Sequence, residues 1–295
     1  MIVLGVAVTA DLYTRWRDWL APEVQPFFVA SLRPWPKSAI RTTSLAPELG
    51  HTYRTWRIAR SVKTLWLDEA TFHDMTRSKR AALVRAQVEI GRGAVPSVRR
   101  WSDLLDSAWL RSQADGHRFV WWPSLVATNP SDIVSRVVAA SPDGAQAYAL
   151  PSRHREVERA TWKKCAPVLP HARRLAGSFP MSSGPNCFGA VMAAAGVEGA
   201  ERDCMVQAPF LAWLDSYCRT GGRDGDPGTL LVWRDDEKVP VHAAVTLGGD
   251  WILEKASGEW WTPYAIRTVA DVLRTSRARG QRLERHRLDS TASAR

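Results

Sequence analysis

Apolar and polar positions follow two spacings along this chain, and the change from one to the other divides it. Helical spacing dominates the first half. From Arg77 to Ile90, apolar Ala82, Leu83, Ala86, Val88 and Ile90 recur at helical intervals, and Gly91 to Gly93 supply the stop. Shorter helices are predicted at 12–19, at 133–140 behind Asn129-Pro130-Ser131, and from Ser102 to Gly116, where Leu105, Trp109 and Leu110 fall on one face. Strands are predicted at 2–8, 27–30 and 119–122, and the Pro- and Ser-rich stretch 22–51 reads otherwise as loop. Residues 141–153 gather Pro142, Asp143, Gly144, Pro151 and Ser152, as a linker does. Beyond it helices are expected at 156–164, 168–176 and 210–217. The spacing then turns to two: strands are expected at 229–233, 241–247 and 251–255, the last two joined by the hairpin turn Gly248-Gly249-Asp250. Helices followed by a small antiparallel sheet predict an α+β fold.

The expected organisation is therefore a mixed, mostly helical N-terminal region at 1–150, an α+β domain at 151–275 and a basic, partly disordered tail at 276–295. From Arg267 onward eight arginines face only Asp271, Glu284 and Asp289, which accounts for half of the net charge of +10. Such a tail is usually solvated, and weak contact with nucleic acid or an acidic surface is the functional alternative. No apolar run approaches the ~20 residues that a membrane-spanning helix needs, so no membrane partner is expected. The apolar start MIVLGVAVTA lacks a basic leader and meets Asp11 and Arg15 at once, so it reads as a buried strand and the protein as cytoplasmic. The four cysteines form neither a CxxC pair nor a metal-type spacing with histidine. Cys165 and Cys218 read as buried thiols and Cys204 as exposed. No cofactor or metal is expected.

The segment Ser182-Ser183-Gly184-Pro185-Asn186-Cys187-Phe188-Gly189, followed by Ala190 to Gly196, carries the chemistry. It reads as a turn that delivers Cys187 to the start of a short, small-residue helix, with Pro185 in the first turn and Gly196 at the stop. Unpaired N–H groups and the helix dipole there favour thiolate over thiol. Thiol catalysis also needs a base, normally histidine, and a third polar group to orient it. Among seven histidines, His242 fits best, because it opens the small-residue strand Val241-His242-Ala243-Ala244-Val245-Thr246-Leu247. Glu254, near the end of the returning strand, can lie beside it. The plainer alternatives are a histidine that only caps its strand and a Glu254–Lys255 edge ion pair of little worth.

In this order, Pro185-Asn186-Cys187-Phe188-Gly189, then Pro227-Gly228-Thr229-Leu230-Leu231-Val232-Trp233, then the His242 strand running into Gly248-Gly249, the chain resembles the NlpC-type cysteine peptidases of the papain-like superfamily over about residues 180–265. The resemblance implies a papain-like helix-plus-antiparallel-sheet domain with Cys187 as nucleophile, His242 as base and Glu254 in the third position. It implies thiol-dependent hydrolysis of a peptide or other amide. Two departures stand out: Asn186-Cys187-Phe188 where the family has Asp-Cys-Ser, and a glutamate where it has His, Asn or Gln. The alternatives are a thiol acyltransferase or deamidase on the same fold, and an inert nucleic-acid- or protein-binding module.

Overall fold

The computed structural model describes residues 1–33, 35, 45–143, 150–276 and 279–289. It is a mixed α+β structure with antiparallel sheets, in two compact units: Thr9–Ala149, and Met1–Val8 together with Leu150–Arg295. The first eight residues thus belong with the C-terminal unit. They form not one strand but two short ones, β1 (Ile2–Val3) and β2 (Val6–Ala7), because Leu4 and Gly5 both take positive φ and reverse the chain. Ser152 N–H donates to Leu4 O at 2.8 Å, which ties this hairpin to the start of the later segment.

The Thr9–Ala149 unit pairs β3 (Val24–Val29) with β4 (Lys63–Asp68) beside the helices Ala10–Leu20, Arg77–Ile90 and Pro130–Ala140. Gly91 ends the long helix at φ 86°, as its sequence position requires. Three expectations fail here. Residues 47–51, read as loop, belong to the helix Pro47–Thr52. Residues 102–116 are not one helix: Ser102 closes Val98–Trp101, and Asp106 caps a separate helix, Ser107–Gln113, by accepting from Trp109 N–H at 2.6 Å. Residues 119–122 are buried but form no strand. Their apolar run fills a core, with the Trp121 ring 4.6 Å from Trp101, and apolar runs alone do not separate strand from buried coil.

In the other unit, six strands form an antiparallel sheet: β5 (Cys218–Thr220), β6 (Thr229–Arg234), β7 (Pro240–Gly248), β8 (Trp251–Glu254), β9 (Ala265–Thr268) and β10 (Arg282–Leu288), in the order β5-β10-β6-β7-β8-β9. The expected tail from 276 therefore contributes a strand to the interior of the sheet. Its last residues, 290–295, and 144–149 of the expected linker lie outside the described residues. Alternate residues of each strand serve two cores. Leu230, Val232, Ala243, Val245 and Leu253 pack with the helix Cys187–Ala194, while Leu231, Trp233, Ala244 and Ile252 pack with the helix Val269–Thr275.

All eight residues of the Cys187 helix are buried. Its small side chains let neighbouring backbone come close: a Cβ on Gly189 would stand 2.3 Å from Ala200 O. A Gly189→Ala substitution must push that backbone away, and it should cost on the order of 1–3 kcal/mol, read from the urea midpoint. An unchanged midpoint would mean that the short turn Ala200–Arg202 yields freely, so the prediction tests how rigidly the helix is seated.

Candidate active site

The helix that begins at Cys187 is held at both ends. Asn186 is its N-cap, and Asn186 Oδ1 accepts from Phe188 N–H and Gly189 N–H, each at 3.1 Å. Asn186 Nδ2 donates to Met205 O at 2.7 Å, which fixes the cap itself. Pro185 consequently lies outside the helix rather than in its first turn, since Asn186 takes the capping role. At the other end Gly196, at φ 102°, donates to Ala193 O, and Val197 N–H donates to Met192 O, both at 3.0 Å. These two bonds are the pair that a left-handed glycine makes possible at a helix terminus. Phe188 stacks on Phe210 at 4.4 Å and anchors the first turn.

His242 stands two residues inside β7, opposite Trp233 and next to the bulge between Trp233 and Arg234. At this end of the sheet it meets both sides of the site. On one side the Cys187 thiol is near enough to favour its charged form. On the other its ring packs 5.1 Å from that of Trp233, and its Nε2 lies 3.4 Å from Glu254 Oε2. The latter approach is an ion pair without the alignment of a hydrogen bond. The register explains it: Glu254 pairs with Ala244, so Glu254 and His242 are diagonal neighbours on one face.

Glu254 is 1% exposed and serves a second cation, with Arg267 Nη1 3.0 Å from its Oε1. Arg267 pairs with Ile252 on β9 and shares the same face. The structure thus brings Cys187, His242 and Glu254 together, and adds a buried arginine that sequence reading missed. The available signal was the alternation Ala265-Ile266-Arg267-Thr268, which puts one charge on a strand too short to stand out.

The alternative Glu254–Lys255 edge pair does not form. Successive strand residues point to opposite faces, and Lys255 is fully buried; its Nζ donates to Ser257 O at 2.6 Å and Glu259 O at 3.2 Å. Burial pulls its pKa down to about 7, against the nearby charges of Glu259 and Cys187. Of the other cysteines, Cys165 is buried, Cys218 half-buried and Cys204 exposed. A cleft of about 310 Å³ lies on the Trp233 side of the sheet, lined also by Leu273, Gln281, Leu283 and Arg285.

For His242, burial opposes protonation, but the contacts with Cys187 and Glu254 outweigh it and push its pKa up to about 10. The imidazole is therefore charged at neutral pH. NMR titration of its ring should place the midpoint well above the ordinary 6.5, and Glu254→Gln should lower it. Because the folded value is raised, the linked stabilisation is complete below about pH 6.5 and is lost as the pH rises through about 10. The stability difference between wild type and His242→Ala should accordingly narrow across that window. A His242 midpoint near 6.5 would contradict the ion pair.

Comparison with protein-family models, with curated proteins and with solved structures returns no match to this chain. Among the described residues, no helix is long and apolar enough to cross a membrane.

Proposed function

We propose that this protein is a thiol-dependent amide hydrolase, a peptidase or amidase, whose C-terminal unit is a papain-like domain of the NlpC type. The observation that carries this reading is a thiol at a capped helix N-terminus that acts on an imidazole whose Nε2 lies 3.4 Å from a buried carboxylate. Cys187 attacks the amide carbonyl and forms a thioester, and His242 gives its proton to the leaving amine. Water then attacks the thioester, with His242 taking its proton, and Cys187 leaves as the thiolate, which restores the starting pair. Glu254 orients the imidazole and favours its charged form.

Asn186 engages the N–H groups of Phe188 and Gly189, so its cap does not draw on that of Cys187. That N–H, at the positive end of the helix, supplies part of the oxyanion site. The order of helix, β6, β7 and β8 supports the fold reading, as do the motif residues each carries.

The test is a panel of peptide and side-chain amides, with the quenched enzyme weighed by mass spectrometry. An acyl adduct on Cys187 that is absent from Cys187→Ala supports hydrolysis through a thioester. Turnover that survives Cys187→Ala would overturn it.

A further inference from the structure

The loop between β8 and β9 carries a buried cation that the hydrolytic steps do not use. Lys255 is 0% exposed, and its Nζ is anchored by the carbonyls of Ser257 and Glu259. The same loop is cross-braced: Ser257 Oγ and Thr262 Oγ1 are 2.7 Å apart, and Glu259 N–H and Thr262 N–H donate to Ser257 Oγ (3.4 Å) and Glu259 O (3.2 Å). Its tip is not idle. Gly258 O accepts from Gly184 N–H at 2.9 Å, and Gly184 lies three residues before Cys187 in the turn that presents the thiol. Gly184 holds a φ of 113°, a conformation that glycine adopts without strain.

We propose that Lys255 is a positioning residue of the Cys187 site: by gathering the carbonyls of Ser257 and Glu259 it shapes the loop whose Gly258 clamps the turn before the thiol. The proposal rests on the reading of Cys187 as the nucleophile.

A buried ammonium is costly unless its protons are taken up, and a methyl group cannot gather two carbonyls. The amino group lies on the side of the sheet that holds Cys187, with the Tyr264 ring 5.9 Å away, and burial leaves it fully charged only below about pH 7. The charged groups that act on it are Glu259 and Cys187, whereas Glu254 and Arg267 belong by register to the opposite face. Loss of Lys255 should therefore be felt at the thiol before it is felt in the fold of the other unit.

The experiment compares alkylation of Cys187 against pH, by mass spectrometry, in wild type, His242→Ala and Lys255→Met, with exposed Cys204 as the internal reference. The expected result is that Lys255→Met moves the half-maximal pH of the Cys187 profile upward by about one unit, roughly ten-fold in rate on the acid limb, and leaves Cys204 unchanged. A folded Lys255→Met protein with the wild-type Cys187 profile overturns the proposal and leaves the nucleophile standing. If wild-type Cys187 reacts no faster than Cys204 and ignores His242→Ala, the hydrolase reading fails and the proposal falls with it. Should Lys255→Met not fold, Thr262→Val removes the brace to Ser257 in the same loop. It should shift the profile in the same direction, and an unchanged profile again overturns the proposal.

Discussion

Replacing His242 with alanine will sharply slow the alkylation of Cys187 at pH 6. An ordinary thiol with a pKa near ~8.5 is less than about 1% thiolate there, whereas a thiol facing a charged imidazole is not confined to that fraction. A thiolate held by a cation is also a weaker nucleophile, which offsets part of the gain. Together these give an expected loss of roughly 10- to 100-fold in the rate of alkylation, with Cys204 unaffected. His242 is suited to this role because it keeps its proton far above the ordinary histidine range, held by the thiol on one side and Glu254 on the other. Equal rates in wild type and variant would remove the thiolate–imidazolium pair, and hydrolysis with it.

Glu254→Ala should be the most destabilising change in the site. It strips a carboxylate that is 1% exposed from two cations at once, His242 at 3.4 Å and Arg267 at 3.0 Å. Removing one member of a buried pair typically costs about 3–5 kcal/mol, because the remaining charge keeps its burial and loses its partner. Arg267 is the greater concern, since its guanidinium is 7% exposed and lies nearer the lost carboxylate, at 3.0 Å. The double variant Glu254→Ala, Arg267→Met should therefore recover part of the loss. Urea unfolding of the two singles and the double completes the cycle. Additive losses would mean that the two groups do not depend on each other.

Much of the site was legible because its signals are local. An asparagine before a small-residue run and a glycine at its end fix the Cys187 helix by capping chemistry alone, although the cap displaced Pro185 from the first turn. The β7–β8 hairpin follows from its turn glycines, and the register then carries Glu254 to His242. What was not legible depends on long-range pairing. The run Arg282–Leu288 reads as a basic tail, yet it forms β10, where Arg285 meets Asp224 at 2.7 Å and Glu284 meets Arg234 at 2.6 Å. Charges balanced by partners some 50 or more positions away look unbalanced in sequence. Lys255 gives no signal for a related reason: its partners are backbone carbonyls, which leave no mark in the sequence.

The strand order β5-β10-β6 sets a schedule for the sheet as the ribosome makes it. Strand β5 pairs only with β10, and β6 keeps one edge open until β10 arrives. Roughly 50 residues separate β6 from β10, so at 5–20 residues per second the nascent sheet waits on the order of 3–10 s with that edge exposed. Over that interval Cys187, His242 and Glu254 have all been synthesised, but the sheet that seats two of them is unfinished. The proposed nucleophile is thus seated beside a finished sheet only once β10 has been made.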